Sequence, residues 1–327
     1  MRGIDPEAAQ LFNEAASAYR QGRYRRSAEA YQAAILRCEH PPLNAYLDLA
    51  KPLEILGEWG GALDALRKAL DLMPNNPTAL RRYARVSQEK AAFESLARSL
   101  DRPAPSEAPS YHASAEAGVS LELAQTARHA LRLAWGDFAA AFGYRVQGGL
   151  RVQLAPARSP SRADLPIWAA GLTRGNRVAL FLHGADPDIG MLVSLLRHEF
   201  VHAALNEAAP GRCPPWLEEA LAEAFAKPMM AWERKLLAED AAQGRLRPFE
   251  ELSLPLMTLP RGEAKAAYRQ CAALGDMLLR GGDAEMPARL LEGLRQGEEA
   301  GRIVHTAFGR SISELLDEIK KESSHAV

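Results

Sequence analysis

The sequence predicts a mainly α chain with one small sheet, an α+β protein of two domains. Three observations carry this. A helical pattern near the N-terminus repeats at an offset of 35 residues, from Gly22 to Gly57. A stretch rich in Pro, Ser and Ala interrupts the chain just past residue 100. Two short stretches of strand alternation stand alone in an otherwise helical second half. The expected boundaries are 1–100 for helical repeats, 101–118 for a linker and 119–327 for the second domain.

Bulk properties narrow the partners. Forty basic residues stand against 41 acidic ones, for a net charge of −1, so neither nucleic acid nor an anionic membrane is the expected partner. No window reaches the ~18 apolar residues that a membrane-spanning helix needs. Cys38, Cys213 and Cys271 are scattered and form neither a disulfide framework nor a C-x-x-C knuckle. A reducing compartment is the default for such usage. The start, "MRGIDPEAAQLF", has no apolar core of a secretion signal, so a cytoplasmic location is the expectation. A trimmed export signal would leave the same pattern.

The first domain is read from its repeat. "GRYRRSAEAYQAAI" from Gly22 matches "GEWGGALDALRKAL" from Gly57. Gly22, Tyr24, Ser27, Tyr31 and Ala34 align with Gly57, Trp59, Ala62, Leu66 and Ala69. Small residues recur where helices approach closely, and large ones where they fill the gap. Pro41 and Pro74 close the two units, and a further first helix follows Pro77 without a clear second. This looks like tetratricopeptide (TPR) repeats, whose period is about 34 residues. The resemblance implies an α-solenoid with a concave groove. That groove is either a site for a protein partner or a packing collar for the next domain.

"DRPAPSEAPSYHASAEAG" at 101–118 shows neither helical nor strand period and reads as a linker, with His112 a solvated loop residue. "VSLELAQTARHALRLAWGDFAAAF" then has helical spacing and ends at Gly143. "LRVQLAP" and "NRVALFLHG" are strand candidates, separated by "LPIWAAGLTRGN", read as a loop with a Gly-Asn turn. Asp186 as cap and Pro187 at the first position start a helix expected over 187–206.

That helix carries "RHEFVH". His198 and His202 are four apart and share one face, so both imidazoles can converge on one cation. Glu199 sits about 100° round the helix, able to reach a water at the metal without being a ligand. The seating residues are Leu195, Leu196, Val201 and Leu205. The bland reading is two packed core histidines.

A catalytic zinc wants three protein ligands and one open position. Pro210-Gly211 and Pro214-Pro215 lead into a second helix, "WLEEALAEAF", that can return beside the first. Leu217, Leu221 and Phe225 cluster on one side of it, and Glu219 and Glu223 lie opposite, one turn apart. Glu219 is the candidate third ligand. Glu223 is the candidate acceptor for the far nitrogen of a ligand histidine, His198 foremost. Glu218 points elsewhere and is the weaker ligand candidate. The bland reading here is a solvated acidic face.

"HEFVH", followed after sixteen residues by the second glutamate of "WLEEALAE", resembles the gluzincin metallopeptidases, and more closely the peptidase MA-like domains with their W-L-x-E-G-x-A-E pattern. Further stretches resemble that family more weakly: "WAAG" at 168–171 with the strand after it, "GRLRPFEEL", "AYRQCAALGDMLL" and "AFGRSISELLDEI". The resemblance covers roughly 119–319 and implies a thermolysin-like fold. It also implies one Zn2+ per chain on His198, His202 and Glu219. Ala220 stands where the family usually has Gly, and Cys271 where Ser is common. The Gly-x-Met-Glu-Asn stretch of zinc aminopeptidases is absent, which favours an endopeptidase.

The activity so implied is peptide-bond hydrolysis by a zinc-bound water that Glu199 activates, with the repeats recruiting a protein substrate or partner. Related enzymes stabilise the oxyanion with a Tyr or His from a later helix. Tyr268 is the candidate and His305 the second, while His183 reads as a loop residue. The strand near 177–182 is expected at a sheet edge, where it could hold an extended peptide. Two other readings stand beside this one: a repeat scaffold with a weak or inactive peptidase-like domain, and a purely structural zinc site. A structural site has no use for Glu199.

Overall fold

The computed structural model describes residues 5–159, 170–183, 187–253, 256–281 and 284–325. The chain divides into two compact units. One comprises Met1–Ala97 with Leu182–Met191, the other Arg98–Phe181 with Leu192–Val327.

The first unit contains α1 (Pro6–Arg20), α2 (Tyr24–Leu36), α3 (Leu43–Ile55), α4 (Trp59–Leu72) and α5 (Pro77–Arg98). Helices α1 and α2 pack as a hairpin, as do α3 and α4, with α2 against α3. Gly22 and Gly57, at the two hairpin turns, both take left-handed φ of 68° and 72°, which a side chain would strain. Every aligned pair beyond them is buried: Tyr24 with Trp59, Ser27 with Ala62, Tyr31 with Leu66, Ala34 with Ala69. The Ser27 hydroxyl donates to the Ala15 carbonyl at 2.9 Å, so the one polar residue of the set is satisfied inside the hairpin. Trp59 stacks on Phe93 of α5, with ring centroids 5.4 Å apart.

The second unit is helical around a four-stranded sheet. It begins with β1 (His112–Ala115), α6 (Leu121–Phe142), β2 (Arg151–Pro156), β3 (Gly171–Arg174) and β4 (Arg177–Leu182). Then come α7 (Ile189–Ala208), α8 (Pro215–Ala226), α9 (Ala231–Ala242), α10 (Phe249–Leu252), α11 (Arg261–Arg280), α12 (Met286–Gln296), α13 (Ala300–Phe308) and α14 (Ile312–His325). Ser120 caps α6 by accepting from Glu122 N, and Gly143 ends it in a left-handed conformation. The strand order is β1-β2-β4-β3. β1 runs parallel to β2, with α6 as the crossover, and β3 runs antiparallel to β4 through a tight Gly175-Asn176 turn.

Four sequence expectations change. The stretch read as a linker supplies β1, so His112 is an exposed strand residue; a four-residue strand paired by its backbone needs no alternation of its own. The loop read between the two strands supplies β3. The edge strand is therefore β3, while β4 at 177–182 lies inside the sheet between β2 and β3. Finally, α7 starts at Ile189, and Asp188 accepts from Met191 N at 2.9 Å; Asp186 lies outside the described residues. The helix also runs on to Ala208, so His198 sits at its middle and His202 opens its last two turns.

Candidate metal centre

Helix α7 is seated on several sides at once. Leu196, Phe200, Val201 and Ala204 are wholly buried, and Leu205 is nearly so, whereas Leu195 stays partly exposed. Arg197 fixes its rotation. Its guanidinium donates to Asp137 Oδ2 of α6 at 2.6 Å and to the Phe225 carbonyl of α8 at 3.0 Å, and lies 4.3 Å from the Phe225 ring centroid. Helix α8 is also buried almost all round, through Trp216, Leu217, Ala220, Leu221 and Phe225. Behind it, α11 crosses at Gly275, where a Cβ would stand 1.9 Å from the Ala220 carbonyl oxygen. Only glycine permits that approach.

Between α7 and α8 the two histidines turn their Nε2 atoms toward each other, 3.1 Å apart. Glu219 Oε2 lies 3.6 Å from His198 Nε2 and 3.8 Å from His202 Nε2. Among the described residues these three form the one group whose ligand atoms converge. His202 Nδ1 donates to Glu218 Oε1 at 3.0 Å. His198 Nδ1 faces Glu223 Oε1 at 3.6 Å, the same orientation at longer range. Both rings thus back onto a carboxylate of α8 and direct their Nε2 atoms at the shared point. The histidines retain 17% and 15% of their side-chain surface, and Glu219 17%, so this is no solvated acidic face.

Glu199 is also buried. Thr173 of β3 donates its hydroxyl to Glu199 Oε2 at 2.6 Å, and a Cβ on Gly171 would stand 2.1 Å from Oε1. The carboxylate therefore occupies the space that the missing Gly171 side chain leaves. Tyr268 of α11 reaches the same cluster and donates its hydroxyl to the Glu219 carboxylate. His305 is exposed on α13, and His183 stacks edge-on with Tyr24, 5.3 Å between ring centroids, so neither joins the group.

The electrostatics follow from crowding the Glu199, Glu219 and Glu223 carboxylates and two imidazoles out of water. Burial pushes the Glu219 and Glu223 carboxyls up to about 7, and Glu199 is raised for the same reason. Burial, with His202 beside it, holds His198 well below the ordinary histidine value. At His202 burial works downward too, but the Glu218 hydrogen bond and the Glu219 and Glu199 charges outweigh it and lift it to about 9. No Arg or Lys forms an ion pair with Glu199, Glu218, Glu219 or Glu223 among the described residues.

The residues fit a zinc ion on three counts. Tetrahedral zinc with bonds of about 2.0–2.1 Å sets its ligand atoms about 3.3 Å apart, near the observed spacings. Glu219 Oε2 is buried with no hydrogen-bond partner, and it faces the two Nε2 atoms. The donor set of two imidazoles and a carboxylate suits a divalent ion of this kind.

Sequence reasoning missed Thr173, Asp137 and Arg197, and it weighed Glu218 only as a weaker ligand, not as the partner of His202. Only Glu218 left a signal: two ligand histidines need two acceptors behind them, and "EE" supplied a spare. Comparison with family models, with curated proteins and with solved structures finds no match for this chain.

Proposed function

We propose that the protein is a zinc-dependent metallopeptidase of the gluzincin, peptidase MA-like kind, cleaving within polypeptide chains. The observation that supports this best is the partnerless, buried Glu219 Oε2 directed at two histidine nitrogens, with Glu199 beside them and outside the ligand set. His198, His202 and Glu219 would hold the ion. Zinc bound there would lower the pKa of a water toward ~7 and polarise a scissile carbonyl.

The chain's own residues supply the rest. Glu218 and Glu223 fix the histidine tautomers, with Nδ1 protonated and Nε2 free. Tyr268 orients Glu219 and is the candidate donor to a developing oxyanion. Thr173 holds one oxygen of Glu199, and the carboxylate takes a proton from water and delivers it to the leaving amine. Burial raises the Glu199 pKa, which suits a group that must accept and return a proton near neutrality. The helical hairpins of the first unit are, on this reading, TPR repeats that recruit a protein partner or substrate. The shared burial of their aligned positions supports it.

Metal analysis of the purified protein together with cleavage of unfolded casein tests the proposal. One zinc per chain is expected, with cleavage lost in Glu199→Gln while zinc is retained, and zinc itself lost in Glu219→Ala. A protein that holds zinc but cleaves no peptide in a Glu199-dependent way is not a peptidase.

A further inference from the structure

The boundary between the two units falls inside a helix. Leu182–Met191 belongs to the first unit with Met1–Ala97, and the second resumes at Leu192. Helix α7 runs through that point, from Ile189 to Ala208. Its start is therefore built into the helical hairpins, while His198 and His202 lie about two and three turns further on, in the second unit. Several contacts within the first unit fix that start. Asp188 caps it by accepting from Met191 N at 2.9 Å. A Cβ on Gly57, in the turn between α3 and α4, would stand 2.8 Å from the Asp188 Cβ and 2.9 Å from the Met191 sulfur. A Cβ on Gly190, in the first turn of α7, would overlap the Phe93 carbonyl oxygen of α5. Phe93 in turn stacks on Trp59, and Met191 packs against the same apolar core.

Two comparisons mark this seat as more than ordinary packing. Alanine is the better helix former, so Gly190 gives up local stability of α7 for close approach to the α5 backbone. Helix α8, which carries Glu219, is held by the same device at the Gly275 crossing. Both helices that supply the cluster thus rest on glycine. The second comparison is between the hairpin turns. Gly22 repeats Gly57 with φ of 68° against 72°, yet a Cβ on Gly22 would meet nothing within 4 Å. The two turns share their backbone strain, and only Gly57 lies against the start of α7.

We propose that the helical hairpins position the metal centre, with Gly57 and Gly190 as the positioning residues that seat α7. The order of the hairpins and the strength of the metal site are then coupled. Coupling is reciprocal: a metal that binds an ordered α7 tightens the hairpins, and a ligand that tightens the hairpins strengthens the metal site. The first unit is on this account a control element as well as a recruiting one. The seating of α7 stands without the zinc reading, and its effect on the metal rests on that reading.

Hydrogen exchange of the full, metal-free chain tests the seating. Gly57→Ala and Gly190→Ala should each speed exchange of the amides at 193–202 about tenfold, and Gly22→Ala should leave them at the wild-type rate. The sign at Gly190 discriminates, because helix propensity alone would make alanine slow the exchange. Should either variant fail to fold, Met191→Ala, which only withdraws a thioether from the core of the first unit, should loosen the same amides. Slower or unchanged exchange in Gly190→Ala, or equal exchange in Gly57→Ala and Gly22→Ala, would overturn the proposal; so would an unchanged Met191→Ala. Competition with a chromophoric chelator reads the effect on the metal. Zinc should bind about tenfold more weakly to Gly57→Ala and Gly190→Ala than to the wild type and Gly22→Ala. Zinc added to the wild type should in turn slow exchange in α3, α4 and α5. Equal zinc affinity in all four proteins, or hairpins indifferent to zinc, would overturn the coupling. A wild-type chain that takes up no zinc would sink the zinc reading and leave the metal-free exchange to decide the seating.

Discussion

Two groups among the buried or half-buried carboxylates of this molecule stand in contrast. Glu54, Asp137, Asp240 and Asp276 are each held by two arginines: Glu54 by Arg82 and Arg85, Asp137 by Arg102 and Arg197, Asp240 by Arg245 and Arg269, Asp276 by Arg234 and Arg280. Glu199, Glu218, Glu219 and Glu223 form no ion pair with Arg or Lys among the described residues; two imidazoles stand among them, and Lys227 acts on Glu223 only from longer range. Arg197 is one residue from His198, yet it turns away to Asp137 and Phe225. The chain neutralises the acids that hold it together and leaves the histidine cluster short of positive charge. A dication would supply the missing charge, and burial makes the shortage costly.

The comparison breaks most sharply in the metal-free protein. Asp240 is 2% exposed, so Asp240→Asn should cost about 3 kcal/mol by stranding its arginines. Glu219→Gln should leave stability unchanged or raise it, since it removes one of several repelling charges. Chemical denaturation of the two variants checks this, and equal losses would erase the distinction. A smaller effect sharpens it: Glu218→Gln and Glu223→Gln should each weaken zinc binding about 10–100-fold while leaving the metal-free fold intact. Competition with a chromophoric chelator reads this out. Glu218→Gln should be the worse of the two, because its bond to His202 is 3.0 Å against 3.6 Å for Glu223 and His198.

The gentlest effect is a slope with pH. Glu219 and Glu223 are raised to about 7 and His202 to about 9 in the folded, metal-free chain. A raised folded pKa gives stability below the unfolded value that is lost as pH rises through the folded one. Metal-free Tm should therefore fall gradually from about pH 5 to pH 9, with the lowered His198 offsetting part of the fall below about pH 6.5. With zinc the trend should reverse over the acidic part of that range, because the ligands must be deprotonated to bind. Paired thermal scans would show it, and parallel slopes would argue against a metal at this cluster.

Much of this was legible in the sequence, for identifiable reasons. An i, i+4 pair on a helix converges whatever surrounds it, so His198 and His202 could be placed together before any fold was known. Glu219 and Glu223 followed from the same periodicity one helix later. Which carboxylate backs His202 depended on how α8 crosses α7, which Arg197 and Asp137, 60 residues apart, help to set. Strand β3 was read as loop because "GLTR" is too short to show alternation, and whether β4 lies inside or at the edge is a fact about pairing. The role of Thr173 depends on that misplaced strand and was lost with it. The hairpins of the first unit were legible because their repeat compares the chain with itself.

Helix α8 places Glu218, Glu219 and Glu223 within six consecutive residues, against α7 on one flank and a glycine crossing with no slack on the other. One residue inserted inside that turn and a half would rotate everything after it by about 100°. A ligand and one of the two histidine partners would part company together. A point substitution here alters one contact at a time, whereas a change of length disrupts several, so changes of length belong outside it. Across any lineage of such chains, gaps should accumulate in the loop before Pro215 and stay out of the helix.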